Sequence, residues 1–235
     1  MDTVIKMFYS PSKAFGELKN AEKFPFLSLI VLLTVIVINT ILMVPVSTKV
    51  AELTLLSTSM PISDEQMAYT MEFMHKIRYL TMIGSIFSYM LILCVYSLLI
   101  WVISKPAKCT LSFQKAFELI IHCYFALAIG GLINTFILYY RGIENIDNIY
   151  EISFTGLNLF TSTESAGVVF YTFLTLINPF HVWFLALMTV GVAKLTDIKF
   201  SKSFIISFIF WTILIAFPVF TIYFSQTFLK SKGLF

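Results

Sequence analysis

The 235 residues are 58% hydrophobic and 12% charged, with a formal net charge of +3 and a mean hydropathy of +0.88. A soluble domain averages about half apolar and a quarter charged, and surface-to-volume scaling would leave much of this Phe, Leu and Ile facing water, so a water-soluble fold is excluded. The charge is too small to argue for a nucleic-acid partner, and the cysteines, with Cys94 and Cys123 in apolar runs and Cys109 in a short basic loop, imply no disulfide framework.

Residues 1–23 precede the first apolar run. Ser10 and Pro11 supply an N-cap residue and a proline at the first helical position. Ala14, Phe15 and Leu18 then share one face, opposite Lys13, Glu17 and Lys19, the pattern of a short amphipathic helix on the membrane interface; a frayed tail is the alternative. The apolar run starts too late, runs too long and lacks the small-x-small exit of a cleaved signal peptide.

Stretches able to cross a hydrocarbon layer of about 30 Å fall at 24–45, 80–104, 113–140, 167–193 and 203–229, leaving 230–235 as a tail. They are apolar on every side, unlike the alternating strands of a membrane barrel. The expected fold is therefore all-α: a polytopic membrane helix bundle of about five transmembrane helices, with the interfacial helix in front. Between the first two stretches, Ser63 to Gln66 has capping-box form, and a helix starting there would run on into the second. Met67, Met71 and Met74 would line one face of it, either packed on the protein itself or open to a partner or lipid.

Lys6, Lys13, Lys19, Lys23, Lys105, Lys108, Lys115, Lys194, Lys199 and Lys202 fall on one side of the bundle. Lys49, Lys76, Arg78, Arg141, Lys230 and Lys232 fall on the other, among most of the acids. The excess of basic residues places the N-terminus in the cytoplasm and the C-terminus outside. Lys-Ala-Phe occurs at Lys13 and again at Lys115, with a fainter echo at Lys202; an internal duplication and a shared need for a snorkelling lysine both account for it.

Ser10 to Leu18, Ile62 to Gln66, the Ser112-Phe113-x-Lys115-Ala116-Phe117 segment, Asn178-Pro179-Phe180-x-x-Trp183, and Gly191 with Lys202 together resemble the Yip-domain family. The resemblance covers essentially the whole chain and implies five spans with a cytoplasmic N-terminus and an external C-terminus. Eukaryotic relatives bind Rab-type GTPases through a long cytoplasmic N-terminal region. Only about 23 residues precede the first stretch here, so the chain looks like the short prokaryotic form, expected in a bacterial plasma membrane. No Asn-x-Ser/Thr acceptor occurs anywhere, which fits.

Polar side chains inside spans are expensive and stand as candidates for function. Asn178, Pro179 and His181 fall near the middle of the fourth stretch, and Pro179 would free the carbonyl of Thr175. An amide, an imidazole and a bare carbonyl at one depth resemble a transporter site; a proline kink with its neighbours bonded to adjacent helices is the other reading. Glu118 and His122, at i and i+4, could form a proton relay, join His181 in a metal site, or be a structural pair. Gly130 and Gly131 read as close helix packing, and Glu164 as a helix cap or a cation ligand.

No catalytic dyad, phosphate loop, metal motif or cofactor motif appears, so no enzyme activity, cofactor or metal is expected. The first expectation for function is an organiser of membrane or partner proteins, whose partners are lipids, other membrane proteins or a second copy as a homodimer. The second is a small transporter or lipid-handling protein.

Overall fold

The computed structural model describes residues 2–21, 24–57, 63–107, 109–150 and 152–231, and all regular structure among them is helical. The helices are α1 (Asp2–Tyr9), α2 (Pro11–Asn20), α3 (Phe26–Leu42), α4 (Val44–Ser57), α5 (Asp64–Ser104), α6 (Phe113–Arg141), α7 (Thr163–Ala166), α8 (Val168–Leu176), α9 (Pro179–Thr196) and α10 (Phe200–Ser231). The chain divides into two compact units. One holds Met1–Ile36, Phe87–Gly130 and Pro179–Ile215; the other holds Val37–Ile86, Gly131–Asn178 and Ala216–Phe235.

Among the described residues four helices are long and apolar enough to cross a membrane: Ile83–Ala107, Phe113–Arg141, Pro179–Thr196 and Phe200–Phe228. Phe26–Leu42 and Val44–Leu55 qualify as a pair bent by 46°, which makes five crossings when the pair counts as one. Lys23, Ile62, Lys108 and Lys232 lie outside the described residues, as do the side chains of Met67, Met71 and Met74.

Two stretches expected as single helices are broken. The first, expected over 24–45, turns at Met43 and continues as α4 into the polar connection that precedes the second stretch. Pro45 has no N–H to continue the ladder, and the Leu42 carbonyl at the bend accepts the Tyr139 hydroxyl at 2.8 Å. The fourth, expected over 167–193, ends as α8 at Leu176 and restarts as α9 at Pro179. Proline at the first position of α9 is well placed, and it disfavours a helical conformation at Asn178 before it. By contrast, the capping box at Ser63 forms as expected, with Ser63 N–H on Gln66 Oε1 at 3.1 Å and Gln66 N–H on Ser63 Oγ at 3.2 Å. From it α5 runs unbroken through the second stretch.

In the first unit, Phe15, Leu32, Leu93, Ile100, Leu119, Phe184, Met188 and Phe210 form the centre of one core. The amphipathic helix α2 is present, with Ser10 at its N-cap making no side-chain bond. Its apolar face is not left to lipid: Ala14, Phe15 and Leu18 are buried and α2 packs on α9. Three contacts step along α9. Lys19 pairs with Asp197 just past its end, the Phe15 ring lies against Gly191, and Phe8 meets Trp183 edge-on at 5.0 Å. From Asp197 back to Trp183 is about 21 Å of helix at 1.5 Å per residue, so the N-terminal helices lie along much of α9. Gly191 permits this, because a Cβ there would run into Leu119 and the Phe15 ring.

Gly130 works the same way: a Cβ there would sit 2.6 Å from Phe180 Cγ and 2.8 Å from its Cβ, atoms that cannot swing aside. Gly16, in α2, has open space around it. Gly130→Ala is expected to lower stability by about 1–3 kcal/mol through overpacking, and Gly16→Ala to raise it by roughly 0.5–1 kcal/mol through lost chain entropy. Thermal melting of the two variants in one detergent checks both signs.

Candidate functional site

Glu118 lies in the first turns of α6 with its side chain fully buried, a position that needs a cation and hydrogen bonds to be tolerable. Lys115, one turn earlier, provides the cation at 2.9 Å from Oε2, and Gln114 Nε2 donates to Oε1 at 3.0 Å. The ammonium also donates to the carbonyls of Leu18 at 2.8 Å and Ala21 at 2.9 Å, at the C-terminal end of α2. All three of its protons are thus used, and a cation at the negative end of α2 is favoured by the helix dipole. One lysine therefore caps α2 and neutralises the buried acid of α6.

His122 is buried one turn further on. Its Nδ1 lies 2.7 Å from the Glu118 main-chain carbonyl and its Nε2 3.1 Å from Ser28 Oγ. A carbonyl only accepts, so Nδ1 carries a proton, and in the neutral ring Nε2 accepts the Ser28 hydroxyl. The expected contact along the helix face exists, but it runs to the main chain of Glu118. The Glu118 carboxylate is bonded to Lys115 and Gln114 instead.

At the helix break, the expected bare carbonyl of Thr175 is occupied. Asn178 folds back and donates from Nδ2 to it at 3.0 Å, replacing the main-chain bond lost there. Ile177 N–H bonds to the Leu174 carbonyl, and the Ile177 carbonyl accepts Leu157 N–H at 3.1 Å. Pro179 opens α9 and His181 sits half-buried in that helix's first turn. Asn178 and Thr175 thus make a closed structural link rather than an open pair of ligand groups.

No group of three or more His, Cys, Asp or Glu among the described residues could hold a metal ion. Glu164 is exposed in the first turn of α7, and the cap of that helix is Ser162, which forms a capping box with Ser165. Two further amides carry no local signal in the sequence. Asn39 accepts Thr135 Oγ1 at 2.8 Å, and Asn134 ties down the loop after α6 through Ile152 O at 3.0 Å and Phe154 N–H at 2.7 Å. For Lys115 as a cap, the available signal is a lysine ahead of an apolar run, a pattern that snorkelling accounts for equally well.

A family model described as the Yip1 domain matches residues 5–221. The chain belongs to the Yip1-domain family. The match begins within α1 and ends within α10, so the N-terminal helices, the bent pair and the broken fourth stretch all lie inside the Yip1 domain. No curated protein and no solved structure was found to match.

Within this Yip1 domain the Lys115–Glu118 pair sets a sharp expectation. Lys115→Met leaves a buried carboxylate uncompensated and should cost about 3–5 kcal/mol, whereas the double variant Lys115→Met/Glu118→Met should recover most of that loss. A double-mutant cycle by thermal or denaturant unfolding measures the coupling, and additive losses would show that the two side chains act separately.

Proposed function

We propose that this Yip1-domain protein organises the membrane or partner proteins and carries out no chemistry of its own. One observation supports the reading most directly: Glu118, His122, Asn178 and the Thr175 carbonyl are each bonded within the protein. A relay or transport site keeps polar groups at membrane depth available to a proton, ion or solute. Here they serve to hold helices in place. The partners in this reading are lipids, other membrane proteins or a second copy, in a bacterial plasma membrane. The test is mass spectrometry of lipids, metals and proteins retained after gentle extraction. Asn178→Ala and His181→Ala should retain what the wild type retains, protein partners included. Loss of a specific bound solute or ion in either variant would overturn the organiser and favour a transport role.

The proposed orientation, N-terminus in the cytoplasm and C-terminus outside, rests on the distribution of lysine and arginine. Cys109, in the connection between α5 and α6, offers a chemical check, since Cys94 and Cys123 lie within candidate spans. Burial pushes the Cys109 thiol up, partly offset by a hydrogen bond involving Thr196 and by the charge of Lys202. Because the thiolate is the nucleophile, a membrane-impermeant maleimide should label Cys109 in inverted vesicles and not in intact cells. The rate should keep rising with pH beyond the ordinary thiol range, and Lys202→Gln should slow it further. Labelling from the outside of intact cells would reverse the orientation.

A further inference from the structure

A cavity of about 480 Å³ opens between the end of α6, the loop that follows it and α8, all within the second unit. Its size is that of an ordinary small-ligand site. The hydrogen bonds of its walls are unevenly used. Asn158, 1% exposed, spends its amide protons on Ser153 O at 2.7 Å and Tyr171 Oη at 2.9 Å, while its Oδ1 has no hydrogen-bond partner. Tyr171 is also buried, and since its hydroxyl accepts from Asn158 it keeps its own proton to give; no acceptor for it is found among the described residues. Arg141 stacks its guanidinium on the Phe154 ring at 4.2 Å and makes no ion pair with a described residue. Stacking leaves the planar edge of a guanidinium, the edge that takes oxyanions in bidentate fashion, open.

We propose that this cavity binds a phosphate group bearing an amino or hydroxyl substituent. Arg141 and Tyr171 supply a positive charge and hydrogen-bond donors for the phosphate oxygens. Asp147, on the cavity wall and without an ion-pair partner among the described residues, supplies the acceptor for an ammonium or hydroxyl. Ethanolamine phosphate carries both groups at this size, either as a lipid headgroup or as a free solute. The proposal does not depend on the organising role.

The experiment uses the full chain purified in a phosphate-free detergent buffer. Glycerophosphoethanolamine is titrated calorimetrically, and in parallel native mass spectrometry follows retention of phosphatidylethanolamine against a phosphate-free glycolipid in nanodiscs. Arg141→Gln should weaken binding about tenfold or more, as for loss of a charged hydrogen-bond partner, and Tyr171→Phe about fivefold. Arg141 is exposed, so Arg141→Gln should melt close to the wild type; Tyr171→Phe strands a buried Asn158 amide proton and should melt lower, so its binding is read well below its melting transition. Saturable binding of the soluble compound that these variants weaken assigns the cavity to free phosphates. Selective retention of phosphatidylethanolamine alone, weakened in the same way, assigns it to the lipid headgroup. Binding of neither, retention of both lipids alike, or binding unchanged in Arg141→Gln would overturn the proposal.

Discussion

A main-chain carbonyl or amide released inside hydrocarbon has no water to turn to, so each interruption of a membrane helix has to be closed from within the chain. Among the described residues two candidate spans break in this way, at Met43 and at Ile177–Asn178, each beside a proline, while Pro218 lies inside α10 without ending it. At the first, Tyr139 from α6 reaches the Leu42 carbonyl. At the second, Asn178 turns back on Thr175 and Leu157 supplies its N–H to Ile177. The Asn178 amide is thus used in closing the helix end beside Pro179.

The same economy governs the buried charges. Glu118 is tolerated because Lys115 lies one turn away, and Lys115 is held because the end of α2 offers it two carbonyls. His122 then bridges from the Glu118 carbonyl to Ser28 of α3. Four helices of the first unit thus share a connected set of contacts: α2 and α3 with α6 through these bonds, and α9 with α2 through Phe15 at Gly191. Removing the lysine would leave an acid without its cation and a helix end without its cap.

The cavity after α6 shows the opposite pattern. Its wall groups are positioned by Asn158, which holds Ser153 and Tyr171 together, and by the stacking of Arg141 on Phe154, yet a charge and hydrogen-bonding groups are left over.

The apolar runs, the capping box at Ser63 and the motifs of the Yip1 domain are local properties, so the all-α multi-pass fold, the unbroken course of α5 and the family were legible in the residues alone. Periodicity also marked the apolar face of α2. What covers that face was not legible, because lipid and a neighbouring helix are equally apolar and offer no contrast in a sequence; only the close approach at Gly191 decided for α9. In the same way, Glu118 and His122 were visible as costly groups, and Asn178 as an amide beside a proline. Their partners Ser28, Leu18 and Ala21, and the convergence of Arg141, Asn158 and Tyr171, come from distant points along the chain or from loop geometry. Hydrogen bonds depend on angles and distances that only the tertiary structure sets.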